Sequence, residues 1–167
     1  MKRLICAAAG AVILAACGTA DAADGTPSDD ALALAEGQEL PTVVVFKTAT
    51  CLCCGGWVEH MRHAGFAVDA RDLPSNLELM QVKAEAGVPA SMTTCHTAVV
   101  DGYVVEGHVP ADQVKRLLEE RPDVAGIVAP GMPMGSPGME GPNARPYQVM
   151  AFDHQGATTL FAEIDPR

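Results

Sequence analysis

Basic side chains are in short supply in this 167-residue chain: 11 Lys and Arg stand against 21 Asp and Glu, a formal net charge of −10. Nowhere do the cations cluster. That excludes a nucleic-acid partner, because phosphate binding depends on a basic patch or stripe. Aromatic residues are as scarce, at 4% of the chain, so a core has to be assembled from Val, Leu, Ala and Met. Long apolar runs are also lacking. The one candidate, Leu4 to Ala16, is shorter than the ~20 residues a membrane-spanning helix needs. There are no internal repeats. What remains is an ordinary globular composition, 49% apolar, in a chain long enough for one domain plus tails.

The short apolar run has a different use. Lys2 and Arg3 precede it, and it ends in Leu14-Ala15-Ala16-Cys17-Gly18, the layout of an export leader. The ending resembles the lipobox of bacterial lipoproteins, in which the cysteine is lipidated and heads the mature chain. Residues 1–17 are therefore expected to be a lipoprotein signal peptide and Cys17 the lipid attachment point. The alternative is a plain secretory signal cut near Ala23. Both place the mature protein outside the cytoplasm; the lipobox implies a periplasmic protein held by its lipid to the inner leaflet of the outer membrane. Cys6 is lost with the leader, so four cysteines are left for other work: Cys51, Cys53, Cys54 and Cys95.

Residues 18–40 are rich in Ala, Asp and Gly and lack a sustained apolar face, which reads as a flexible tether, with a short helix over Asp29–Glu36 as an option. The domain is expected over residues 41–163. Thr42–Lys47 is a continuous β-branched and aromatic run, the pattern of a buried strand. The run Gly56–His63 spaces Trp57, Val58 and Met61 along one helical face, and Gly65 follows as a C-cap. Phe66–Arg71 reads as a second strand. Pro74-Ser75-Asn76 opens a second helix with Leu77, Met80 and Ala84 inward. Cys95–Val100 and Tyr103–Glu106 flank Asp101-Gly102, a two-residue hairpin signal. Pro110 opens a third helix, with Val114, Leu117 and Leu118 on its inner face. The order β-α-β-α-β-β-α is that of a three-layer thioredoxin-like α/β domain. A Met-rich loop over Val128–Met139 and an extra hairpin, Tyr147–Phe152 with Thr158–Ala162, complete the chain.

Cys51-Leu52-Cys53-Cys54 follows the first strand. A Cys53–Cys54 bridge would join Cα atoms ~3.8 Å apart, under the usual ~4.4 Å minimum, and Cys51–Cys53 would close a very short ring. Cys51 and Cys54 form a C-x-x-C at a helix N-terminus, the redox-active dithiol spacing. A thiol–disulfide oxidoreductase using that pair is thus the main competing reading. Against it, Cys53 sits between the two thiols, where it would attack a mixed disulfide. Cys95 also stands about where thioredoxin-like oxidoreductases place a proline opposite the dithiol. Four converging thiols at a helix N-terminus favour the thiolate form and so call for a cation. Soft thiolates select Cu(I), zinc or iron–sulfur chemistry, and structural zinc prefers two separated knuckles. Adjacent thiolates instead suit several low-coordinate Cu(I) ions that share sulfurs.

Three segments, TCLCCGGWVEHMRHAGF, GVPASMTTCHTAVVDGYVVEGHVPADQVKRLL and PGMPMGSPGME, together resemble the CopG-like periplasmic metal-binding family of bacterial copper-resistance clusters. The likeness spans roughly residues 41–163. It implies a thioredoxin-like domain, a copper site on the cysteines, and copper handling outside the cytoplasm, with a periplasmic donor or acceptor of copper as partner. A binding protein rather than an enzyme is expected; an enzyme of this kind would be an oxidoreductase acting on copper or on disulfides.

Auxiliary ligands are harder to read. His96 adjoins Cys95, and strand neighbours point to opposite faces, so His96 is expected to support the site by hydrogen bonding. His108 lies in a turn before Pro110, where it either contacts the site as an auxiliary ligand or bonds a turn carbonyl, the second being the simpler role. His60 and His63 read as sharing an exposed helix face, and His154 as solvated in a turn. Met132, Met134 and Met139 occupy a Pro/Gly loop with little else apolar. Either they offer thioethers to Cu(I), or the loop folds over the domain with Met as filler. Met61 and Met80 read as core, and Trp57 as the anchor of the first helix.

Overall fold

The structure, a computed structural model, describes residues 39–167. The leader, the Cys17 anchor and nearly all of the tether lie outside the described residues. Strand β1 (Val43–Thr48) leads into helix α1 (Leu52–His63), then β2 (Val68–Leu73), α2 (Asn76–Glu85), a 3-10 turn at Ala90–Met92, β3 (Thr97–Val100), β4 (Tyr103–Glu106), α3 (Ala111–Glu120), β5 (Gly126–Val128), β6 (Tyr147–Phe152) and β7 (Thr158–Ile164). The thioredoxin-like order is present and is extended by three strands. One seven-stranded sheet, β2-β1-β3-β4-β5-β6-β7, contains them all.

The period-2 alternation of strands divides the apolar residues between the two faces. Val105, Ile127 and Ala151 join Trp57, Val58 and Met61 of α1 and Val114 and Leu117 of α3 in the larger cluster. Their neighbours Val104, Val128 and Phe152 fall in a second cluster with Val88, Ala86 and Met92, just past α2. Helices thus cover both faces, giving three layers.

Several expectations need correction. Helix α1 begins at Leu52, so Cys53 and Cys54 lie in its first turn and not in a loop before it. β2 begins at Val68 and β3 at Thr97, each two residues later than expected. β5 was not foreseen: three residues are too short to show a period. On α2 the inward face is the other one. Leu77 is 70% exposed, Met80 48%, and Ala84 also faces solvent, while Leu79 and Lys83 are buried. The reason is a partner elsewhere in the chain: Lys83 Nζ bonds Glu106 Oε1 at 2.7 Å and Thr97 Oγ1 at 3.0 Å. With its charge met, a lysine takes the inner face.

Candidate metal centre

Strand polarity assembles the site. β3 runs antiparallel to β1, β4 antiparallel to β3, and β5 parallel to β4. The C-terminal ends of β1, β4 and β5 and the N-terminal end of β3 therefore share one end of the sheet. From those four points come the C-x-C-C turn, Cys95-His96, Gly107-His108 and the Met-rich loop.

The ligand atoms of Cys51, Cys53, Cys54 and Cys95 all lie within 4.8 Å of one another. Cys51 is the N-cap of α1 and makes no side-chain capping bond, so the sulfurs stand at a helix N-terminus, where free amides and the dipole favour negative charge. Cys51 Sγ and Cys53 Sγ are 3.6 Å apart, and Cys54 Sγ lies 3.8 Å from the Cys95 carbonyl oxygen. Cys51 and Cys54 are joined by a disulfide, their Cα atoms 5.4 Å apart, and Cys53 and Cys95 are free. The four converging thiols expected from the sequence are thus present as one disulfide and two thiols: the C-x-x-C pair closes once Cys54 is drawn into the helix. All four sulfurs become available together only when that bond is reduced.

Cys95 is held in the thiol form by its surroundings. Burial first, and then the neighbouring Cys53 thiol, push it up to about 12. A cation at the site reverses that balance, because the sulfur then loses its proton to a metal bond.

His108 combines the two roles weighed for it, contact with the site and a bond to a loop carbonyl. Fully buried, it donates Nδ1–H to the Pro137 carbonyl oxygen at 2.7 Å. That bond fixes the tautomer, so Nε2 presents its lone pair to Cys95 Sγ, 2.8 Å away. His96 stands on the same side. Because Cys95 and His96 precede β3, strand alternation does not separate them, and His96 Nδ1 lies 3.5 Å from Cys95 Sγ. Its Nε2 is buried without a partner, and its ring packs against Trp57, with centroids 4.5 Å apart. Cys95, His96 and His108 make a second group able to hold a metal. Burial holds both imidazoles below their usual range, His96 well below, with His108 and Lys83 adding to the effect on His96; the bond to Pro137 partly opposes it at His108. Burial thus favours the neutral form of both rings, each with a bare nitrogen open to a metal cation. The donor set of four sulfurs and uncharged imidazole nitrogen suits a soft cation.

His60 does not share an exposed face with His63. Its Nε2 accepts the Ala111 amide at 3.0 Å, satisfying the start of α3. His63 bonds the Glu59 carbonyl within its own helix, and His154 is exposed. The Met-rich loop does fold onto the domain. Gly138 packs against the backbone of α1, so closely that a methyl group on it would stand 2.8 Å from Trp57 N and collide with the Cys53 carbonyl oxygen. Met132 and Met134 remain 42% and 39% exposed, so core filling does not account for them; Met139 is half-buried. Lys83 and Glu106 were missed by sequence reasoning, since nothing local marks a lysine and a glutamate 23 residues apart as partners.

Comparison with known proteins agrees with this geometry. A solved structure titled copper resistance protein CopG, form 2, superposes with a TM-score of 0.70 at 41% identity, covering 75% of this chain and 99% of that one. Form 1 of the same title gives 0.68 at 41% identity, covering 75% and 98%. A family model described as a protein of unknown function, DUF411, matches residues 92–139, the stretch from the Cys95 turn through the Met-rich loop. No curated protein matches the chain. With two-fifths of the aligned residues identical over essentially the whole of those structures, the chain belongs to the CopG family.

Proposed function

We propose that this protein binds Cu(I) outside the cytoplasm through Cys51, Cys53, Cys54 and Cys95 and sequesters it or passes it to a periplasmic acceptor. The observation that carries the reading is the convergence of four sulfurs within 4.8 Å, in a chain whose relatives are titled copper resistance proteins. Four thiolates at this spacing suit more than one Cu(I), because low-coordinate ions share bridging sulfurs. Copper here is cargo. His108 and His96 border the sulfurs as further donors, and the exposed thioethers of Met132 and Met134 suit capture from solvent. The leader motif supports a lipid anchor at Cys17 and a place at the periplasmic face of the outer membrane.

Since the full ligand set exists only with the Cys51–Cys54 bond reduced, reduction precedes loading. The test is an anaerobic titration of reduced, mature protein with Cu(I) and with Zn(II). Uptake of more than one Cu(I), with thiolate-to-copper ultraviolet absorption lost on Cys53→Ser or Cys95→Ser, is expected. Protein with its disulfide intact should take up less. The disulfide also favours a second reading, in which Cys51–Cys54 oxidises a substrate dithiol: two substrate thiols become a disulfide while Cys51 and Cys54 each gain a proton and an electron. Turnover of a dithiol substrate by metal-free protein, together with weak copper binding, would establish that reading instead. Incorporation of labelled fatty acid, abolished by Cys17→Ala, checks the anchor.

A further inference from the structure

A carboxylate with no solvent exposure lies directly behind the Cys95 turn. Glu106 Oε1 accepts the Thr94 amide at 2.6 Å and the Thr94 hydroxyl at 3.1 Å. Its other oxygen accepts the Thr97 hydroxyl at 2.7 Å. Lys83 meets the charge, 2.7 Å away and with its side chain 2% exposed. The next two residues act on the same turn from the main chain and the ring: Gly107 N donates to the His96 carbonyl at 3.0 Å, and His108 Nε2 meets Cys95 Sγ. Residues 94–97 are thus gripped by residues 106–108, and the grip starts at the β3–β4 register pair Thr97 and Glu106.

The placement matters because Cys95 is the one sulfur of the four that does not ride on α1. Cys51, Cys53 and Cys54 are fixed relative to one another by the first turn of a helix. Cys95 sits on an irregular turn between the 3-10 turn and β3, where strand pairing does not define its position and the nearest main-chain bond is the one from Gly107 N to the His96 carbonyl. A Thr94 amide bonded to a buried carboxylate does define it, and a charge-assisted bond is about twice as strong as a neutral one.

We propose that Glu106, neutralised by Lys83, is a positioning residue that holds Cys95 at the other three sulfurs. The role deepens the copper reading and rests on it for its purpose, but the clamp itself can be observed without copper. A buried ion pair can often be exchanged for apolar residues without loss of stability, which lets position be separated from folding. Two double variants make the comparison: Lys83→Met with Glu106→Leu, which deletes the acceptor, and Lys83→Met with Glu106→Gln, which keeps an acceptor oxygen for Thr94 and loses only the charges.

Two readings are taken on reduced full-length mature protein: Cu(I) affinity by competition with a chromophoric chelator, and the rate of Cys95 alkylation by iodoacetamide in metal-free protein, followed by peptide mass spectrometry. The Leu double should bind Cu(I) at least tenfold more weakly and alkylate at Cys95 at least tenfold faster. The Gln double should stay within about threefold of wild type in both. Equal alkylation of the Leu and Gln doubles overturns the positioning role. If no protein in the set, wild type included, takes up Cu(I), the copper reading fails while the alkylation rates still decide the clamp. Should the Leu double lack native circular dichroism, Thr94→Pro takes its place. It deletes the amide donor, and Thr93, at ψ 135°, already has the extended backbone a following proline requires.

Discussion

Replacing Gly138 by alanine should lift the Met-rich loop from α1, and the structure sets the size of the effect. Gly138 has φ +82°, and a residue with a Cβ in the left-handed region costs about 1–2 kcal/mol. The added methyl would also lie 2.8 Å from Trp57 N and 3.2 Å from Gly56 C. These are backbone atoms inside a helix and cannot turn aside as a side chain would. Overpacking of this kind costs about 1–3 kcal/mol, so Gly138→Ala should lose about 2–5 kcal/mol, a large part of the usual ~5–15 kcal/mol of a folded domain. Gly131 is the control. It lies in the same loop at φ +75° with nothing near the site of a Cβ, so Gly131→Ala should lose only the backbone part, about 1–2 kcal/mol. Urea unfolding of the two variants gives the difference. Lifting the loop also removes the Pro137 carbonyl from His108 Nδ1, so the imidazole nitrogen resonances of Gly138→Ala should show loss of the single tautomer, while those of Gly131→Ala should not. Equal destabilisation of the two variants, with His108 unchanged in both, would refute the claim that this contact seats the loop.

Acid should weaken the fold through the buried imidazoles. The folded-state pKa of His96 is depressed by burial, whereas in the unfolded chain a histidine titrates near ~6.5. As pH falls below that value the unfolded state takes up a proton that the folded state refuses, so stability falls with pH until the folded pKa is reached. His96→Phe should flatten the curve of stability against pH between about 6.5 and 5; parallel curves for variant and wild type would dismiss the argument. On α2, Leu79→Ala should cost about 2–4 kcal/mol, since Leu79 is only 4% exposed, whereas Leu77→Ala, at 70% exposure, should stay within about 0.5 kcal/mol. Thermal denaturation separates the two, and comparable losses would mean the helix face is wrongly assigned.

Much of this was legible in the chain and the remainder was hidden for identifiable reasons. The β-branched run into β1, the Asp101-Gly102 hairpin and the inner face of α3 follow from periodicity and turn chemistry, and the structure has them. The convergence of Cys95 on the C-x-C-C turn was legible from strand order. The face of α2 was not. Leu77 and Met80 mark a plausible apolar row, and the real inner row contains Lys83, which any hydropathy reading turns outward until Glu106 is known. For His108 both a site role and a carbonyl bond were legible as options, but not which carbonyl: its partner lies 29 residues on, and a carbonyl leaves no mark in a sequence. The Cys51–Cys54 bond was legible as a spacing but not as an outcome, because the helical apolar pattern begins only near Gly56, four residues after the helix itself starts at Leu52.

The strand polarity that gathers the chemistry at one end of the sheet leaves the other end unencumbered. There lie the Asp101-Gly102 turn, with Asp101 at φ +47° and Gly102 at φ +87°, the Arg121–Asp101 ion pair and the Tyr103 hydroxyl on the Pro122 carbonyl. β3 and β4 separate that turn from Cys95 and His108 by four residues of strand each, about 13 Å at ~3.3 Å per residue. An exposed turn of this kind is where inserted sequence is best tolerated. A reporter or an affinity handle spliced between Asp101 and Gly102 would therefore sit at the back of the molecule, with the thiols facing the other way and their approach unobstructed.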